Sequence, residues 1–185
     1  MFTKNAGEVA SLEDIKPVAE AVARECNGLP LPIIIVGAAM RGKAILELWK
    51  DALNELRRSE PDYIKGIEKD VYKPLKWSYN SLQGKNIKPC FLYCSLFPKD
   101  FSIEVSELVQ CWMAEGLIDE HLNSEDSFNK GIAIIENLKD SCLLEDGTRK
   151  DTVKMHDVVR DVAIWIASFT EDRCKSLVRS GIGLS

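Results

Sequence analysis

The sequence has little positive charge to spare, only two histidines, and no apolar run long enough to cross a bilayer. Its 24 lysines and arginines are outnumbered by 29 aspartates and glutamates, for a formal charge of -5. That balance opposes unaided attraction to a polyanion, so neither nucleic acid nor an acidic membrane surface is an expected partner. The longest apolar stretch, Leu29 to Met40, contains two prolines and falls well short of the roughly 20 residues that a transmembrane helix needs. The N-terminus lacks a charged-then-apolar secretory pattern, and the expected compartment is cytoplasmic. With His121 and His156 as the only imidazoles, a nucleophile, base and orienting group cannot be paired convincingly, and with no second close Cys or His pair a four-ligand zinc site is not expected. Independent catalysis is not expected. Six cysteines without tight spacing read as reduced, mostly buried thiols, Cys90 and Cys94 sharing a helix face at i, i+4.

There is enough apolar material for a core: 45% of residues are hydrophobic against 29% charged, with too little Gly and Pro for disorder. The pattern reads as a mainly α chain of two small domains. Apolar residues at Val9, Leu12, Ile15, Val18 or Ala19, Val22 and Cys26 form the stripe of one amphipathic helix between Gly7 and Cys26. Ile33-Ile34-Ile35-Val36-Gly37 is by periodicity either a buried strand or a buried helix. Ile45, Trp49, Ala52, Leu53 and Leu56 fit another helix, closed by the polar run from Arg57 to Asp62 with a proline in it. Pro74 suits the first turn of a helix with Leu75, Tyr79 and Leu82 on its apolar face, since a missing N–H costs nothing there. The expected domains are 1–68, a small helical bundle, and 69–172, with 173–185 opening a linker.

In the second domain three helical patterns follow: Ile87, Cys90 or Phe91 and Cys94; Val105, Leu108, Val109 and Trp112; Phe128, Ile132, Ile135 and Leu138. Ser102, with Glu104 behind it, suits the start of the middle one. Cys142-Leu143-Leu144 and Thr152-Val153-Lys154-Met155 are strand candidates on either side of Glu145-Asp146-Gly147, giving a short β-hairpin. Val158, Val162, Trp165 and Ile166 give a closing helix. Three helices and a hairpin is the order of a winged helix. Trp112, Phe91, Phe97 and Phe101 are helically spaced and lack interleaved Arg or Lys, which favours core over a base-stacking platform.

Gly37-Ala38-Ala39-Met40-Arg41-Gly42-Lys43 matches the phosphate-binding spacing G-x-x-x-x-G-K, but Ala44 stands where a hydroxyl is needed to hold magnesium. Ala-Ala-Met-Arg is a good helix former, and the expected structure is a buried helix begun by Pro30 or Pro32. His156 falls at a junction of strand and helix, where unpaired N–H groups and the positive end of the dipole favour an anion. Its imidazole there can donate a hydrogen bond to a phosphate oxygen, although taken alone a surface or capping role is the simpler reading. Asp157 reads as a helix-start residue.

Four phrases, in order, resemble the NB-ARC module of plant nucleotide-binding, leucine-rich-repeat disease resistance proteins. Cys26-Asn27-Gly28-Leu29-Pro30-Leu31 is similar to the GLPLA motif, and Cys90 to Phe101 to the RNBS-D motif, continued by Trp112-Met113-Ala114-Glu115-Gly116-Leu117-Ile118. Met155-His156-Asp157 matches the MHD motif. The Cys90 to Ile118 wording resembles the coiled-coil, non-TIR class. The resemblance implies a helical ARC subdomain followed by a winged helix, with ADP held between them and an upstream P-loop domain that lies outside this sequence. It implies that Pro30, with Leu31 beside it, packs near the adenine and that His156 contacts the β-phosphate. Exchange for ATP would release the winged helix and permit oligomerisation, making the region a regulatory switch rather than an enzyme, with leucine-rich repeats as downstream partner. Pro32 departs from the Ala of the family motif, a change an early helical turn accommodates. Three alternatives remain: a winged-helix DNA-binding protein, opposed by Glu104, Glu107 and Glu115 with no Lys or Arg between Ile103 and Ile118; an NTPase built on Lys43; and a truncated interaction protein without nucleotide affinity.

Overall fold

Proline and glycine set most helix boundaries in the first half of the chain. The computed structural model describes residues 1–58, 69–118 and 124–169 and divides into two compact units, Met1–Ser81 and Leu82–Ser185. The expected linker 173–185, His121 and residues 59–62 of the polar run lie outside the described residues.

Among the described residues, every regular element of the first unit is a helix. Helix α1 (Phe2–Ala6) ends at Gly7, whose φ of 80° only glycine adopts easily, and a single 3-10 turn covers Glu8–Ser11. The one long helix expected from Gly7 to Cys26 is therefore interrupted: Leu12 is extended and 47% exposed. Helix α2 (Lys16–Glu25) starts only where Pro17 enters its first turn. Asn27 and Gly28, both with positive φ, turn the chain into α3 (Pro30–Ala39), with Pro30 as its first residue. The ambiguous isoleucine run is thus helical. Helix α4 (Leu46–Arg58) buries Trp49, Ala52 and Leu56, while Ile45 precedes it and is exposed. Helix α5 (Lys69–Ser81) begins five residues before Pro74, so that proline lies inside the helix rather than in its first turn. The hydrogen bond it forfeits is offset by burial of Tyr72 and Leu75, at 2% and 1% exposed. Because α5 packs on α3, the compact units divide after Ser81, later than the 68/69 boundary expected from sequence.

Gly37 belongs to this packing. A Cβ there would come within 2.8 Å of the Asn5 Cβ and 3.3 Å of the Phe2 carbonyl oxygen, so the glycine lets α1 lie against α3. Helix α3 ends at Ala39. Beyond it, the Lys43 carbonyl accepts the Trp49 indole N–H at 2.7 Å and its ammonium sits 5.8 Å from the Trp77 ring; burial lowers its pKa. The P-loop lookalike is a helix end and a packed lysine.

The second unit is the winged helix. Helices α6 (Ile87–Cys94), α7 (Val105–Ala114) and α8 (Ser124–Asp140) are followed by strands β2 (Glu145–Asp146) and β3 (Thr152–Lys154) and by α9 (Asp157–Phe169). A strand not anticipated from sequence, β1 (Ile103–Glu104), completes a three-stranded antiparallel sheet in the order β1-β3-β2. Ser102 is consequently not the cap of α7. Its hydroxyl lies 3.0 Å from Thr148 Oγ1 and accepts the Thr148 N–H at 3.1 Å, and Glu104 occupies the N-cap position. The first hairpin strand also starts three residues later than expected. Cys142, at φ 55°, closes α8 with Leu143 N–H bonded to Leu138 O at 2.9 Å, which holds 142–144 in a helix-terminating turn. Phe91 and Trp112 are core, at 1% and 0% exposed. Phe97 is half-buried and Phe101 is 44% exposed, stacked on Phe97 at 5.9 Å; these two lie beyond the end of α6, where helical spacing no longer governs.

Gly131 brings α8 against α7: an added Cβ would meet Val109 Cγ1 at 2.5 Å. Gly131→Ala would gain about 1 kcal/mol of helix propensity, but overpacking against a fully buried branched side chain costs about 1–3 kcal/mol. The clash is expected to win, lowering the urea midpoint, and Val109→Ala in the same chain should partly restore it.

Thiol chemistry gives a second test. Cys26, Cys90 and Cys94 are buried, Cys111 and Cys142 partly so. Desolvation, with a smaller contribution from Glu25, pushes the Cys26 thiol up to about 12. At pH 8 only about one molecule in ten thousand then carries the reactive thiolate. Mass spectrometry after iodoacetamide treatment should find Cys26 and Cys94 labelled only in denaturant, and, among the five cysteines of the described residues, Cys111 and Cys142 labelled first in the native chain.

Candidate functional site

The first residue of α9 is fixed by the strand before it. β3 ends at Lys154, Met155 is 5% exposed and anchors the junction, and His156 follows as the residue that caps α9. Its carbonyl accepts the Arg160 N–H at 2.9 Å, the opening bond of the helix. Its ring Nδ1 accepts the Val158 N–H at 3.2 Å. The imidazole thus satisfies one of the donors a helix start leaves open, a task usually done by Ser, Thr, Asp or Asn. An accepting Nδ1 carries no proton, so in the neutral ring the proton lies on Nε2. His156 is exposed, and that Nε2–H is a donor at the positive end of a helix.

Asp157 is the first residue of α9, where its charge complements the dipole; its Oδ1 is buried without a hydrogen-bond partner among the described residues. The expected helix-start role matches its place.

Two groups that sequence reading missed tie this corner together. Arg160 Nε donates to the Phe97 carbonyl at 2.7 Å, and Lys99 pairs with Asp161 at 3.0 Å. The segment after α6 is therefore fastened to the first turns of α9, and two motifs far apart in sequence become neighbours. A basic residue one turn into a helix carries no sequence signal for such a tie, since its acceptor is a backbone carbonyl.

Pro30 and Leu31 lie in the other unit. Pro30 opens α3 and is exposed, Leu31 is half-buried, and Pro32 is buried. The helix accepts prolines at both positions because its first N–H groups have no intrahelical partner. His156 fits a phosphate as a hydrogen-bond donor, and the exposed Pro30 ring offers an apolar face of the kind that packs on a base. Among the described residues no three His, Cys, Asp or Glu are grouped to hold a metal ion, and no helix is long and apolar enough to cross a membrane.

Comparison with known proteins agrees with this architecture. Residues 96–163 match the family model described as the disease resistance protein winged helix domain. Along its whole length the chain is 56% identical to disease resistance protein At4g27190 and 52% identical to probable disease resistance protein At4g27220, both from Arabidopsis thaliana. Over 95% of its length it is 43% identical to disease resistance protein RPS5 of the same plant. It spans about a fifth of each of these relatives, covering 18%, 20% and 20% of them. A winged helix whose strand leads directly into Met155-His156-Asp157, with this similarity running the length of the chain, makes it a member of the plant disease resistance protein family.

Proposed function

We propose that this chain is the part of an intracellular, cytoplasmic plant immune receptor that senses a bound ADP or ATP and holds the receptor closed until the nucleotide is exchanged. The observation that supports this reading is the capping geometry of His156. With Nδ1 occupied by the Val158 N–H, the ring is oriented by its own helix and its Nε2–H is left to an external acceptor. ADP, when bound, supplies a diphosphate, and an anionic acceptor is the ligand that a helix N-terminus favours. In this reading His156 donates to the β-phosphate, while Pro30 and Leu31 pack near the adenine.

The remaining parts follow from the same proposal. An upstream P-loop nucleotide-binding domain completes the site, leucine-rich repeats follow downstream, and the NB-ARC assembly acts as a switch rather than as an enzyme. His156 favours the closed state only to the extent that it contacts one nucleotide state better than the other. Oligomerisation would follow loss of that contact. An NTPase built on Lys43 is disfavoured by the helical setting of Gly37 and by the packing of Lys43 on Trp77.

Calorimetry of ADP binding tests the reading with three samples: this chain alone, the chain together with an upstream P-loop domain, and that pair carrying His156→Ala. Binding is expected only with the P-loop domain. Loss of one hydrogen bond to a charged group, worth about 1.5–3 kcal/mol, should weaken it by about tenfold to a hundredfold in the variant. Tight binding by the chain alone that is indifferent to His156 but abolished by Lys43→Ala would sink the proposal.

A further inference from the structure

The winged-helix unit carries an open groove of about 520 Å³, lined by the start of α7, by α8 and by the wing. His156 does not contribute to it. Its apolar floor includes Phe128 and Ile132, which face outward enough to remain only half-buried although they continue the core stripe of α8. Its rim is acidic: Glu104, Glu136, Asp146 and Asp151 surround a single ammonium, that of Lys139. Lys139 is already committed, to Asp146 at 2.8 Å and to Glu136 at 3.1 Å. Each of these carboxylates retains a second oxygen, Glu104 accepts the Ser106 hydroxyl at 2.8 Å, and Asp151 is exposed.

We propose that this groove docks a cationic amphipathic segment of a partner protein, apolar side chains seated on Phe128 and Ile132 and lysines or arginines against Glu104, Glu136 and Asp151. Charge complementarity selects the occupant. A polyanion meets repulsion from the rim, and an uncharged apolar helix would bury carboxylates without partners, which is costly. A helix presenting apolar residues on one face and basic residues beside them satisfies both the floor and the rim.

The test uses the full 185-residue chain and a fluorescein-labelled leucine–lysine amphipathic peptide about five helical turns long, followed by fluorescence anisotropy. Saturable binding is expected, weakened at least about tenfold when Glu104→Gln, Glu136→Gln and Asp151→Asn are combined, and weakened by added salt as screened charges require. Neutralising the exposed Glu13, Glu20 and Glu47 of the first unit to Gln should leave it unchanged. Ile132→Ser, with every charge in place and circular dichroism unaltered, should also weaken it, which long-range attraction alone would not do. The proposal is overturned by absence of binding, by equal loss from the first-unit substitutions, by no effect of Ile132→Ser, or by equal binding of a leucine–glutamate peptide or of duplex DNA.

Discussion

Strand β3 is only three residues long, yet it is hydrogen-bonded along both edges, with Val153 opposite Ile103 of β1 and opposite Asp146 of β2. Ile103 and Val153 are each 1% exposed, so a one-residue slip would carry a buried side chain out and a charged one in. That register is the constraint on which the second unit depends. Nothing but Met155 and His156 separates β3 from α9, so fixing the strand fixes the helix start, and with it the direction in which the capping imidazole points. The Arg160 tie to Phe97 and the Lys99 pair with Asp161 then hold the first turns of α9 against the segment after α6. The guanidinium bond is part-buried and directional, whereas the Lys99 pair is exposed and contributes little by itself.

Each unit uses a glycine to bring two helices together where any side chain would keep them apart. Gly37 admits α1 to the side of α3, and Gly131 admits α8 to Val109 of α7. The cost of glycine in a helix interior, about 1 kcal/mol relative to alanine, is offset by the closer packing of fully buried neighbours such as Val36, Met40, Val109 and Trp112. The same Gly37 made the first half of the chain look like a phosphate-binding loop. In three dimensions its missing Cβ serves helix packing, and the lysine six residues on serves a tryptophan ring.

The second unit has two polar features of opposite preference. At α9, a helix start and an Nε2–H favour negative charge. Along α8 and the wing, carboxylates around an already paired lysine favour positive charge. Both follow from backbone placement as much as from composition, because the chain as a whole carries a modest formal charge of -5, which by itself predicts only reluctance toward polyanions.

The sequence by itself determined the mainly helical class, the winged-helix order and most core positions. Period-3.6 stripes such as Leu108, Val109 and Trp112 report burial directly, and the phrases around Pro30, Phe91 and His156 report family. It determined that His156 stands at a helix start, since Met155-His156-Asp157 separates an alternating from a helical pattern. It did not determine where helices break: Leu12 continues an apolar stripe but falls in a gap created by Gly7 and Pro17, and Pro74 sits inside a helix because burial of Tyr72 and Leu75 outweighs a lost backbone bond. Strand β1 was illegible, because a two-residue strand has no period and exists only through its pairing with β3. The tautomer-setting bond from Val158 is local, two residues from His156, but the Arg160 tie and the acidic groove were decided by tertiary structure alone, since each joins groups whose proximity depends on how the backbone folds and on no local pattern of residues.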